Sequence, residues 1–163
     1  MRCSMLQHPF PPLYDADSTV LILGSFPSVK SREQCFFYGH PQNRFWKVLA
    51  AVFDQSVPTT IEEKTAFLHR NHIALWDVIA SCEITGSADS SIKNATANDL
   101  APILKGSKVK RIYVNGNTAK KLYDRYLFPV TGMEATVLPS TSPANAAWSV
   151  DRLTEVWKII NRG

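Results

Sequence analysis

The run "TVLILGS" at residues 19–25 limits the possible folds more than any other stretch of the chain. Four aliphatic residues, Val20 to Leu23, follow Thr19 without a polar break and stop at Gly24. A strand with one face in water alternates apolar and polar residues. An unbroken run requires cover on both faces, which is the condition of a strand inside a parallel sheet. Parallel neighbours need long crossovers, usually through helices, so helical segments should lie between strands.

The chain supplies them in order. The "NRFWKVLAAVFD" segment places Phe45, Trp46, Val48, Leu49, Val52 and Phe53 on a wide helical face, with Asn43 where an N-cap would sit. Thr60 followed by Glu63 forms a capping box before the next helix. Strands are expected at residues 73–81, 109–116 and 134–140. Helices are expected at 98–106, after "NGN", and from Ser149 to the end. Residues 1–18 read as an extended arm, 25–42 as an 18-residue loop, and 82–97 as a polar loop. Loops that long are usually functional. The expected architecture is a single α/β domain over residues 1–163, a three-layer α/β/α sandwich around a central four-stranded parallel sheet.

Composition narrows the functional classes. No window approaches the ~18 apolar residues of a membrane span, and "MRCSMLQHPFPPLYDAD" lacks the apolar stretch of a secretory leader. Cys3, Cys35 and Cys82 are odd in number and far apart, which fits a reducing cytoplasm without a disulfide framework. His8, His40, His69 and His72 show no zinc-ligand spacing, so no metal is expected. The net charge of +4 is compatible with a polyanionic partner. Basic residues gather at Lys30, Arg32, Arg44 and Lys47, and again at Lys105, Lys108, Lys110 and Arg111.

Ligands of open parallel sheets bind beyond the carboxyl ends of the strands. Those exits are "GSFPS", "WDVIASCE", "NGN" and "PSTSPANAAW". They are rich in hydroxyl and amide side chains and poor in acids and bases. No dinucleotide fingerprint, P-loop or G-x-S-x-G elbow is present.

The segments "GSFPSVKSREQCFFYGHPQNRFWKVL" and "LPSTSPANA" resemble the uracil-DNA glycosylase superfamily, nearest its hypoxanthine-DNA glycosylase branch, family six. "ALWDVIASCE" and "YVNGNTA" look like the second and third strand exits of that family. The resemblance implies a cofactor-free, monomeric, monofunctional glycosylase that removes a deaminated base from DNA, hypoxanthine first and in some members uracil. Mismatch-specific relatives carry a water-activating Asn two residues after the first glycine, where this chain has Phe26. By analogy the catalytic task moves to Asn43, the asparagine of H-P-x-N, whose carbonyl could orient the attacking water. The same residue read without the family is a helix cap.

The base pocket is expected from Gly24, Ser25, Phe26, Phe37, Tyr38 and Asn115. Phe37 is the first choice for stacking on the flipped base and Tyr38 the second; each aromatic, Phe36 included, could instead be core. Asn115 could read the base edge or cap the following helix. Ser140, Thr141 and Ser142 are expected to bond phosphate, with Pro143, Ala144 and Asn145 near the gap left by the base. Asp77 reads as a structural hydrogen-bond acceptor, with a general base as the other option. A non-catalytic damage-binding module is the reading from a different class.

Overall fold

The computed structural model describes residues 5–86, 88 and 91–161. Cys3 lies outside the described residues. Strand β2 (Val20–Gly24) is buried along all five residues, as is β3 (Ile73–Asp77). With β6 (Arg111–Asn115) and β7 (Ala135–Leu138) they form a four-stranded parallel sheet in the order β3-β2-β6-β7. The unbroken apolar run is therefore the interior strand it was expected to be.

The chain winds outward from β2 in opposite directions. Helices α1 (Val29–Gln34), α2 (Phe45–Val52) and α3 (Ile61–Arg70) connect β2 to β3 on one side. Helix α5 (Asn117–Tyr126) connects β6 to β7 on the other. Since such crossovers are right-handed, winding in opposite directions puts the two helix sets on opposite faces. Helix α7 (Val150–Trp157) returns to pack on α2, with its fully buried Trp157 against the edge of Phe45, ring centroids 5.9 Å apart. The result is the three-layer sandwich.

The expected caps form at two helices. Thr60 accepts from the Glu63 amide at 3.0 Å, and the Glu63 carboxylate reaches back to Thr59. Ser149 accepts from the Arg152 amide at 3.1 Å. Between β6 and β7, Tyr123 and the short α6 (Phe128–Thr131) close the second layer.

Four segments differ from expectation. The N-terminal arm contains a strand, β1 (Met5–Gln7), and buries Phe10. The strand expected over 73–81 breaks after Asp77 into β3 and a separate β4 (Ile79–Glu83), and the expected polar loop at 82–97 contains β5 (Lys93–Ala97). With β1, β4 and β5 make a second, antiparallel sheet in the order β1-β4-β5. β1 is three residues long and β5 reads "KNATA", so neither shows the apolar alternation by which a half-buried strand is recognised. The long loop holds helix α1, whose six residues are too few for a helical period. Its start is fixed by Ser28, which accepts from the Ser31 amide at 3.2 Å. Helix α4 (Ala101–Gly106) starts three residues later than expected.

Candidate active site

All four parallel strands deliver their carboxyl ends to one cavity of about 300 Å³. Its wall takes Gly24 to Ser28 from the exit of β2, Asp77 from β3, Asn115 from β6 and Ser140 to Ala144 from β7. Phe37, Tyr38, His40 and Asn43 close it from the connection before α2. Twelve residues expected at the strand exits and in the connecting loop, from Gly24 to Ala144, meet in this cavity. Asn145 does not; it lines a neighbouring surface cleft with Gly116, Asn117 and Trp148.

Asn43 stands at the centre of an amide–hydroxyl network. Its Oδ1 accepts from the Phe45 amide at 2.9 Å and from the Thr141 hydroxyl at 2.8 Å. The Phe45 amide can only donate, so it fixes the oxygen of Asn43 on that side and the amide cannot be turned over. The N-cap position itself falls on Arg44, with no side-chain cap, and Asn43 holds the first turn from one residue earlier. Two donors occupy the two lone pairs of Oδ1, leaving none for a water. Nδ2 is the Asn43 group with no acceptor among the described residues, a correction to the expected water-orienting carbonyl.

Thr141 departs from its expected role at the DNA surface. It is 0% exposed, and its hydroxyl accepts from Asn115 Nδ2 at 3.0 Å while donating to Asn43. The Thr141 amide donates to Asn115 Oδ1 at 3.1 Å. Asn115 therefore braces Thr141 and does not cap α5, whose N-cap is Gly116 without any side-chain bond. Glycine suits that position, because φ is +95° and the Ser140 side chain lies close by.

The aromatic residues divide between wall and core. Tyr38 lies flat on Phe45, centroids 3.8 Å apart and planes 14° from parallel. Phe37 is 3% exposed and sits edge-on to Phe10 and Phe36 at 4.8 and 5.6 Å, so only part of its ring reaches the cavity. Phe36 turns away and stacks on Trp46. Phe26 is buried and meets Arg32 over its face at 5.8 Å.

The β7 exit loop is tied down by Arg44, a residue first read only as surface charge. Its guanidinium donates to the carbonyls of Thr141, Ser142, Asn145 and Trp148. Four carbonyls from one loop match the planar fork of arginine, which fixes the loop against the start of α2. Ser140 and Ser142 are used in the loop's own turns, accepting from the amides of Ser142 and Ala144. Asn145 donates to the Ser140 carbonyl at 2.9 Å. The other basic group lies at the opposite end of the sheet, where Lys108 and Lys110 bond the chain just before β2. From the first group, Arg44 and Arg32 touch residues that line the cavity, through the β7 exit loop and the Phe26 ring.

Asp77 is 5% exposed and bonds His8, Oδ2 to Nε2, at 2.6 Å. This supports its reading as a structural acceptor and adds a partner the sequence did not reveal, since the two residues are 69 positions apart. Gly24 is required beneath that carboxylate. A Cβ there would stand 2.5 Å from Asp77 Oδ1 and 3.2 Å from the Tyr38 hydroxyl.

Comparison with known proteins agrees with this geometry. The family model described as the uracil DNA glycosylase superfamily matches residues 11–162. A protein of Methanosarcina acetivorans named hypoxanthine DNA glycosylase is 35% identical over 160 residues, 97% of this chain and 99% of its own. One of the same name from Methanosarcina barkeri is 33% identical over 144 residues, 86% and 89% of the two chains. The solution NMR structure of a candidate uracil DNA glycosylase from Methanosarcina acetivorans superposes with a TM-score of 0.77 at 32% identity. It covers 94% of this chain and 97% of its own. With the parallel sheet, the converging strand ends and near full-length identity to such relatives in view, the chain belongs to the uracil DNA glycosylase superfamily and is a DNA glycosylase.

Proposed function

We propose that the protein cuts the N-glycosidic bond of deoxyinosine in DNA, and less readily that of deoxyuridine, as a monofunctional enzyme. It acts as a monomeric single domain in the cytoplasm. The observation that carries this reading is the cavity itself. It is sized for one extruded base, at the low end of the ~300–1,000 Å³ of small-ligand pockets. It is walled by fixed amides and aromatic rings. Among the described lining residues there is no lysine to attack C1′, which favours water as the nucleophile over a covalent imine.

Cleavage builds positive charge on the sugar and negative charge on the departing base. Pre-aligned donors in a water-poor site stabilise that base without reorganising. Asn43 Nδ2 is such a donor, held by Phe45 and Thr141. Water adds to C1′ as the old bond breaks, which asks more of positioning than of basicity. The tip of the Arg44-bound loop, half-buried Pro143 and exposed Ala144, meets the duplex where the base has left, and Ser140 and Ser142 lie beside it.

The test is excision, read on gels after abasic-site cleavage, from duplexes containing inosine, uracil or xanthine. Asn43→Ala is expected to slow inosine release by roughly 10²–10⁴, the range for a positioned catalytic group. Asn43→Asp keeps the acceptor for Phe45 and Thr141 but replaces the donor with an anion, and should be equally slow at an unchanged melting temperature. Full activity in either variant removes Asn43 from the chemistry. Tight binding of the lesion without any abasic product in the wild-type protein would make it a damage-binding module.

A further inference from the structure

We propose that the His8–Asp77 pair sets the base selectivity of the cavity. Asp77 Oδ1 accepts a hydrogen bond from the ring N–H that hypoxanthine and uracil carry and their parent bases adenine and cytosine lack. The inference rests on the glycosylase reading and names the atom that makes it selective.

The argument begins with His8. Its Nδ1 lies 2.9 Å from the Phe10 carbonyl, which can only accept, so Nδ1 carries a hydrogen. Its Nε2 lies 2.6 Å from Asp77 Oδ2, close enough to require one hydrogen between them. That hydrogen sits on the nitrogen or on Oδ2. In both cases Oδ1 is left without one, so the oxygen is an acceptor whichever partner holds the proton.

The imidazole cannot turn to change this. Phe10 and Trp76 stand 4.4 and 4.3 Å from it, and Phe26 and Phe37 complete the ring cage at 6.0 and 6.4 Å. The side chains of His8 and Asp77 are 3% and 6% exposed.

Oδ1 is turned toward Gly24 at the cavity wall, as its 2.5 Å approach to an ideal Cβ at that residue shows. No donor among the described residues reaches it. An acceptor so placed leaves its hydrogen bond to whatever enters the cavity, and a ligand with an N–H makes it. Deamination provides one. In adenine and cytosine it turns a ring nitrogen lone pair beside an amino group into a ring N–H beside a carbonyl, at N1 of hypoxanthine and N3 of uracil. Adenine N1 and cytosine N3 would instead set a lone pair against Oδ1. Asn43 Nδ2, in the same cavity, supplies the donor that the neighbouring carbonyl needs. An acceptor and a donor in fixed order read the polarity of the base edge. A site built this way rejects an analogue that leaves its polar groups unpaired far more strongly than an apolar pocket can.

The experiment compares excision of inosine with that of N1-methylinosine, in which only the N–H is lost, and pairs it with two variants of similar size. Wild-type protein should release hypoxanthine at least about 10²-fold faster than its N1-methyl analogue. In Asp77→Asn, neutral His8 accepts from the new amide and the carbonyl oxygen stays inward, so inosine excision should hold within about tenfold. Asp77→Leu offers no acceptor and should fall by about 10²-fold or more. Affinity for a duplex with a tetrahydrofuran abasic analogue has no base to read, and should be the same in all three proteins. Equal excision of inosine and N1-methylinosine by the wild type overturns the inference, and that comparison needs no variant. So does an Asp77→Leu protein that matches Asp77→Asn on inosine, or one whose loss extends equally to the abasic duplex. A wild-type protein that leaves inosine, uracil and xanthine all uncut removes the glycosylase reading, and the inference with it.

Discussion

Thr141→Val probes the amide network most directly, because valine keeps the shape of threonine and removes only its hydroxyl. Two hydrogen bonds vanish, the 2.8 Å bond to Asn43 Oδ1 and the 3.0 Å bond from Asn115 Nδ2. Asn115 Nδ2 then faces a methyl group, and an unsatisfied buried donor costs about 1–3 kcal/mol. The bond from the Thr141 amide to Asn115 Oδ1 survives, since it is made by backbone. A net loss of about 2 kcal/mol corresponds to a melting temperature lower by roughly 4–8 °C for a chain of this size. Asn43 keeps its Phe45 bond but can now pivot about it. Excision should drop by about tenfold, less than in Asn43→Ala. The decisive measurement is a double-mutant cycle on single-turnover inosine excision. If Thr141 acts through Asn43, adding Thr141→Val to Asn43→Ala should cost almost nothing further, a coupling of about 1.4 kcal/mol. Fully additive losses would refute the network as the means by which Asn43 is held.

Three further outcomes are expected. Gly24→Ala should all but abolish excision, because the new methyl must displace a carboxylate locked by His8; a variant structure with Asp77 unmoved and full activity would contradict this. Arg44→Lys should lower stability by about 1–3 kcal/mol, the loss expected when buried carbonyls lose charged donors. It should also leave the salt slope of DNA binding unchanged, since Arg44 is spent on carbonyls; a slope reduced by about one would mark it as a phosphate contact. Burial holds the Tyr123 phenol above the ordinary tyrosine range, with Asp124 adding to the effect and the Thr131 bond opposing it. A proton retained more tightly in the folded state stabilises below the unfolded tyrosine value and is lost as pH rises through the folded one. Denaturation midpoints should therefore fall on the alkaline side, and Tyr123→Phe should flatten that fall.

Much of the catalytic end was legible before any coordinates. A continuous aliphatic run means burial on two faces, which implies a parallel sheet, and a parallel sheet places its ligand at the strand exits. That chain of reasoning, together with the Gly24–Trp46 and Leu138–Ala146 signatures, brought Gly24, Asn43, Asn115 and the β7 loop to one place. What it could not supply was the direction of individual side chains. Thr141 looked like a surface hydroxyl between two serines, yet it is the buried member of the three. Asn115 looked like a cap because it precedes a helix. Phe36 and Phe37 are adjacent in a loop without a period, so nothing local says which one turns inward.

The sequence by itself determined the class of fold, the family and the end of the sheet where the candidate site lies, because these follow from periodicity and contiguous motifs. The tertiary structure alone decided the partnerships: His8 with Asp77, Arg44 with four carbonyls of one loop, Thr141 between Asn43 and Asn115. Each joins residues tens of positions apart, whose meeting depends on how crossovers, an antiparallel edge and a returning arm pack together. A hydrogen bond is short-ranged and directional, and no local pattern records where its distant partner will lie.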